Sequence, residues 1–330
     1  LDRRIAGNVG SHQRALATAA IALDRPGVTE TYLDWLFAPD GGMIPTILVD
    51  LVCRDGPSFE AAPGYSLSPR SLVPVADLLR SYSAYQKHDM YRDYPQMKQI
   101  FLATRAFRCL NEVTPTLGDS GKAQHYGCVR QSLEVLMSGY RAYGTPDIAA
   151  EAWFSAFHDI ARLQRQVDIF DARPQEFIER LTAAKPALPL PVVSANHSGY
   201  GLAILQSGSG AEHQGRCAYV WYGRMEGSHP HKDRLNLGIF AKGYAVNPDL
   251  GYPEFTGMWP KRHGWTSHTV SHNTVLVNDR KQSPNWSGRT DLFSGGTLAQ
   301  IAIIDGGPPV YEGVTTYRRA VALVDVGSDD

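Results

Sequence analysis

The sequence predicts an α+β protein of two domains, a helical one over residues 1–184 and an antiparallel β one over residues 193–330. The period of its apolar residues changes once, and it changes at a proline-rich break. Before the break apolar side chains recur three and four apart, as on one face of a helix. After it they alternate, as on one face of a strand. The break, residues 185–192, opens with Lys185-Pro186-Ala187-Leu188-Pro189-Leu190-Pro191, and its three prolines make it a stiff, extended linker.

In the first domain the helical period covers residues 13–23, 44–52, 71–85, 97–110, 129–140 and 148–163. Most of these are helix lengths. Pro45 and Pro95 fall at first turns, where the missing N–H costs little. A succession of amphipathic hairpins of this kind suggests a multi-helix layer or toroid. In the second domain strands are expected at 200–206, 218–222, 235–240, 274–277, 298–304 and 317–326. The last strand would need a partner beyond it, so further sheet is expected in the natural protein. The start, Leu1-Asp2-Arg3-Arg4, suggests a processed or excised piece.

With 330 residues, 32 basic and 33 acidic, the net charge is −1, which gives no global electrostatic footprint for nucleic acid or a membrane surface. No apolar run reaches the roughly 18 residues of a membrane span. Cys53, Cys109, Cys128 and Cys217 include no C-x-x-C pair, so they read as buried free thiols, not as a zinc ribbon or redox motif.

Chemistry concentrates between Ser228 and Asn273, a stretch holding five of the 11 histidines. It opens with His229-Pro230-His231-Lys232-Asp233 and closes with Ser271-His272-Asn273-Thr274-Val275. Placed on a strand edge, His229 and His231 would point to one face and share one pocket. Asp249 and His272 follow at intervals suited to neighbouring strands. Histidine and aspartate together make a donor set that zinc accepts, with one histidine to spare.

Three stretches resemble the heparinase II/III-like polysaccharide lyases. The first runs from Gly227 through His229, His231 and Asp233 to Leu235 and Phe240. The second is Asp249-Leu250-Gly251-Tyr252 leading into Ser271-His272-Asn273-Thr274-Val275. The third is Asp55-Gly56-Pro57-Ser58-Phe59-Glu60-Ala61-Ala62-Pro63-Gly64-Tyr65, in which Ala61 stands where the family usually has glycine. The resemblance implies an incomplete (α/α) toroid followed by an antiparallel, sandwich-like sheet domain, a periplasmic or secreted location, and cleavage of an acidic polysaccharide by β-elimination.

Carried over residue by residue, the resemblance makes Tyr65 an acid/base on the helical wall of an interdomain cleft and His229 its partner on the sheet wall. His231, Asp249 and His272 would hold one structural zinc. A group on an early helix would neutralise the uronate carboxylate, with His12 favoured and Asn8 second. Tyr252, in a Gly-Tyr-Pro turn, would assist. Arg224, Lys232, Arg234, Lys261 and Arg262 are either solvated charges or contacts to an acidic polymer. Trp221, Tyr222, Trp259 and Trp265 are expected in the core or cleft wall. Among uronic-acid polymers alginate is favoured over glycosaminoglycans, because dense basic clusters are few. Two rival readings use the same residues: a zinc-dependent hydrolase, which lacks a carboxylate base of the H-E-x-x-H kind, and a non-catalytic zinc-stapled carbohydrate-binding protein. Neither nucleic acid nor membrane is an expected partner, and the oligomeric state is open.

Overall fold

The computed structural model describes residues 9–121, 127–167, 171–208, 213–252, 260–307 and 309–326. The protein is α+β, with a helical region and two antiparallel sheets. It divides into two compact units, one of residues 1–58, 67–104 and 130–187 and the other of residues 59–66, 105–129 and 188–330.

In the first unit Ser11–Leu23 packs on Val28–Phe37 and on Val73–Ser81, and Leu133–Tyr143 packs on Pro146–Ser155. Ala17, Leu33, Leu36, Leu48, Leu72, Phe101, Leu136 and Trp153 form its buried centre. Each fully buried large apolar side chain of this kind contributes about 1.5–3 kcal/mol. The periodic stretch 148–163 is two helices, Pro146–Ser155 and Ile160–Gln164, because Phe157 and His158 adopt φ of 57° and 58°. A right-handed helix cannot pass through left-handed backbone. Two ten-residue helices escape the periodicity argument, although their starts are marked. Val28–Phe37 follows Gly27, whose N–H donates to Glu30 Oε2 at 2.6 Å, and Pro174–Ala183 begins on a proline.

In the second unit β1 (Ala195–His197), β2 (Leu202–Ser207), β3 (Arg216–Trp221), β4 (Asn236–Ala241) and β5 (Tyr244–Ala245) pair in sequence order as one antiparallel sheet. A second sheet is made by β6 (Arg289–Gly295), β7 (Ala299–Asp305) and β8 (Arg318–Val324). Ala203, Leu205, Val220, Tyr222 and Leu235 bury themselves against Ala302 and Ile304 between the sheets. The other face of the first sheet is covered by the 105–129 segment. There Phe107 meets Tyr200 at 5.9 Å between ring centroids, and the Leu110 N–H donates to Gln206 Oε1 at 2.7 Å. Covered on both faces, β2 and β3 read as nearly unbroken apolar runs.

One expected strand, 274–277, does not form. The edge of β4 that it would occupy is taken: Val246 N–H donates to Ile239 O at 2.8 Å, and Leu237 N–H donates to Asn273 O at 3.1 Å. Beyond Asn273 the chain leaves the ladder, and Val275 O accepts from the hydroxyls of Tyr311 and Tyr317 at 3.1 and 2.7 Å. β1 and β5 are too short to be found by pattern, and β6, Arg289-Thr290-Asp291-Leu292-Phe293-Ser294-Gly295, shows no apolar alternation.

Candidate active site

His229 and His231 lie in the β3–β4 connection, not on a strand edge, and Asp249 and His272 lie in the β5–β6 connection. The sheet supplies a rigid rim and the loops carry the chemistry. Two backbone bonds fix the first loop. Lys232 N–H donates to Ser267 O at 3.1 Å, and Asp119 N–H donates to His229 O at 2.9 Å. Gly118 precedes Asp119 with φ +56°, and a Cβ there would stand 2.7 Å from His229 O. Only glycine lets the two strands of chain approach so closely.

Asp119 is the hub of one half of the site. Its Oδ2 lies 3.2 Å from His229 Nδ1 and its Oδ1 lies 3.1 Å from His231 Nε2. Arg262 grips the same carboxylate with two bonds, Nε to Oδ1 at 2.9 Å and Nη2 to Oδ2 at 2.5 Å. Burial works against the Asp119 charge, but hydrogen bonds from His231 and Arg262 outweigh it and hold the carboxyl at about 2. An ionised carboxylate only accepts, so both imidazoles donate to it. In the neutral imidazole so held, the lone pair falls on Nε2 of His229 and on Nδ1 of His231. Tyr65, half exposed, stacks flat on His229 with ring centroids 3.8 Å apart and planes 8° apart. The pair expected to face each other across a sugar therefore sits ring against ring in one unit, and no sugar fits between rings in van der Waals contact.

The other half is fully buried. One ligand atom from each of His231, Asp249 and His272 lies within 4.8 Å of the others. His272 Nδ1 bonds Asp249 Oδ2 at 2.9 Å, while Asn236 Nδ2 and the Gly251 N–H donate to the same carboxylate at 2.5 and 2.8 Å. Burial opposes the His272 charge, yet Asp249 prevails and lifts the imidazole to about 9. His231 Nδ1, His272 Nε2 and both oxygens of Asp233 are buried without a hydrogen-bond partner. Four buried polar atoms without partners are costly unless something binds them, and two imidazoles with carboxylates, once the His272 proton is displaced, suit a borderline divalent cation.

The remaining expectations divide. His12 is on the first turn of Ser11–Leu23, exposed, in the helical unit, and Asn8 lies outside the described residues, as does Trp259. Tyr252 is 38% exposed, with its N–H on Gly121 O at 3.3 Å, and so borders the Asp119 loop. Trp221 and Tyr222 are core, whereas Trp265 is half exposed. Arg234 is no solvated charge. It is buried and donates to Gly306 O at 2.8 Å and to Asn285, which ties the β3–β4 connection to the second sheet. Asp119 escaped the sequence reading of the site, which names Asp233 only within a motif and Arg262 only as a solvated charge or polymer contact, whereas Arg262 clamps Asp119.

Residues 187–323 match the family model "Heparinase II/III-like, C-terminal". This part of the chain is a heparinase II/III-like C-terminal domain. Solved structures with the same fold include the heparan sulfate lyase HepC from Pedobacter heparinus, at 14% identity and TM-score 0.66, covering 98% of this chain and 44% of that one. A structure titled heparinase III matches at 14% identity and TM-score 0.61, over 96% of this chain and 45% of that one. The chain thus spans less than half the length of these structures. No curated protein sequence matches it. The heparinase II/III-like match begins after the 59–66 and 105–129 segments, so Tyr65 and Asp119 are outside it although they meet its histidines.

Proposed function

We propose that the chain is the catalytic portion of a polysaccharide lyase that cleaves an acidic, uronate-containing polymer by β-elimination. The observation that carries this reading is the contact of Tyr65 with His229 beside Asp119. A phenol and an imidazole with a free lone pair supply the two proton-transfer groups the reaction needs. A base takes the proton from carbon 5, the electron pair forms the carbon 4–carbon 5 double bond, and the bond from carbon 4 to the bridging oxygen breaks. The departing oxygen receives a proton, and no water is consumed. Asp119 holds His229 in the tautomer that presents Nε2, and Arg262 holds Asp119.

Because Tyr65 and His229 act from one side, the elimination is syn. Syn geometry suits uronates whose carbon 5 hydrogen and carbon 4 oxygen share a ring face, which are glucuronate and mannuronate. It disfavours iduronate and guluronate. The fold neighbours named for heparan sulfate favour a glycosaminoglycan rich in glucuronate over alginate, the polymer preferred from sequence alone. His231, Asp249 and His272 would hold a zinc ion, with Asp233 as a nearby counter-charge. When bound, such an ion would brace the loops that carry His229 and would supply positive charge beside the site. His12 or Asn8 as carboxylate neutraliser and a periplasmic or secreted location belong to the same proposal.

The test is ultraviolet absorbance of the unsaturated uronate, followed on paired polymers: unsulfated glucuronate-containing chains against dermatan sulfate, and polymannuronate against polyguluronate. Product on the first of each pair is expected. Reducing ends released without absorbance would instead establish a hydrolase, and activity confined to iduronate or guluronate would overturn the syn geometry.

A further inference from the structure

An exposed tryptophan borders the same loops and has no part in the proton transfers. Trp286 is 61% exposed, which is unusual for so large an apolar ring. The Arg224 guanidinium lies over it at 4.5 Å, and Phe59 meets its edge at 6.3 Å. Phe59 begins the 59–66 segment that ends beside Tyr65. On the other flank Met225 N–H donates to Asn285 O at 3.1 Å, and the Lys232 ammonium donates to Met225 O at 2.5 Å. Lys232 is anchored to Ser267, next to the Arg262–Thr266 turn, and Arg262 returns to Ser228 O at 2.6 Å, beside His229. Through backbone and side-chain contacts together, Trp286 is thus linked by way of Arg224, Met225, Lys232 and Arg262 to the loop of His229, and by Phe59 to the segment of Tyr65.

The charge along these contacts is unbalanced. Arg262 spends its charge on Asp119, and Arg224 has Glu226 at 3.7 Å. Lys232 and Lys281, whose Nζ atoms donate to backbone oxygens, pair with no carboxylate among the described residues. The part of the indole that Arg224 leaves open, with the carboxylate-free Lys232 on the adjoining loop, is complementary to a pyranose bearing an anionic group. The apolar C–H face of the sugar covers the indole, and its carboxylate or sulfate meets the cations. We propose that Trp286, with Arg224 and Lys232, forms a binding subsite for an acidic sugar of the polymer, on the rim of the site and outside the proton-transfer machinery. This rests on the reading of the site as one for an acidic polysaccharide.

The experiment separates binding from turnover. Calorimetric titration of the full chain with heparan sulfate, its chemically desulfated form and polymannuronate would be run for the unsubstituted protein and for Trp286→Ala, Trp286→Phe, Arg224→Gln and Tyr244→Ala. Loss of stacking costs about 1–2 kcal/mol, the range of a desolvated cation–aromatic or aromatic contact, so Trp286→Ala should weaken binding roughly tenfold or more. Trp286→Phe should recover part of the loss, and Tyr244→Ala, an exposed aromatic on β5, should bind like the unsubstituted protein. An Arg224→Gln effect confined to heparan sulfate assigns sulfate as the group recognised, and an equal effect on the desulfated form assigns the carboxylate. Equal affinity of Trp286→Ala and the unsubstituted protein overturns the subsite. Tight binding to the subsite with no unsaturated product from any polymer would leave the subsite standing and remove the lyase.

Discussion

The ring of Tyr65 lies on the ring of His229, 3.8 Å from centroid to centroid and 8° from parallel. Parallel contact ties the position of the phenol to that of the imidazole, so the two groups proposed for proton transfer are delivered as one unit. Tyr65→Phe keeps the stack and loses only the hydroxyl. Elimination should fall at least about a hundredfold, the lower end for a general acid–base group, with thermal stability changed by less than about 0.5 kcal/mol at this half-exposed position. Retained activity would transfer the role to Tyr252, and Tyr252→Phe measured alongside decides it.

The two neighbouring histidines should fail in different ways. His229→Ala is expected to lower turnover by roughly two to four orders of magnitude while zinc content stays the same. His231→Ala, at a fully buried position, should lose zinc and stability together. Elemental analysis and thermal denaturation of both variants check this, and the opposite assignment of zinc loss would reverse the roles.

Asp119→Ala should resemble neither. It leaves the Arg262 guanidinium, 14% exposed, without its carboxylate and frees both imidazoles. Breaking a mostly buried ion pair from one side costs roughly 3 kcal/mol, read as a lower denaturation midpoint. Activity should drop more than for Asp119→Asn, which retains an acceptor oxygen. Added formate should restore part of the Asp119→Ala turnover by replacing the carboxylate.

Chelation should lower thermal stability, and about one zinc per chain should be found before it, since an ion bound only by the folded site stabilises that fold. At a thousandfold excess over its dissociation constant the effect is about 4 kcal/mol. A metal-free preparation with an unchanged melting temperature would remove the cation from the buried histidine cluster.

The sequence pattern located the helical stretch, the main strands and the histidine cluster because each leaves a local signature. A helix such as Ser11–Leu23 repeats its apolar face over several turns, and β2 and β3 are apolar throughout. Motif spacing likewise marked His231, Asp249 and His272, which the fold gathers within 4.8 Å. What escaped depends on contacts distant in sequence. Asp119 meets His229 across 110 residues, and nothing local distinguishes it from any loop aspartate. Placing the histidines on a strand face erred because alternation over three residues is too short to tell a strand from a tethered loop, whose shape is set by Gly118 and Ser267. Trp286 is of the same kind, since its exposure is decided by packing alone.

The second unit is discontinuous in the chain, for it takes residues 59–66 and 105–129 from within the helical stretch. Gene recombination at the proline-rich linker would therefore divide the residues of the proposed catalytic site. A chimera that inherits residues 188–330 from one parent and the rest from another would combine His229 and the buried histidine cluster of the first with Tyr65 and Asp119 of the second. Only parents already compatible at those two residues would yield an active hybrid, which makes this boundary a poor place to splice and the pair a criterion for choosing donors.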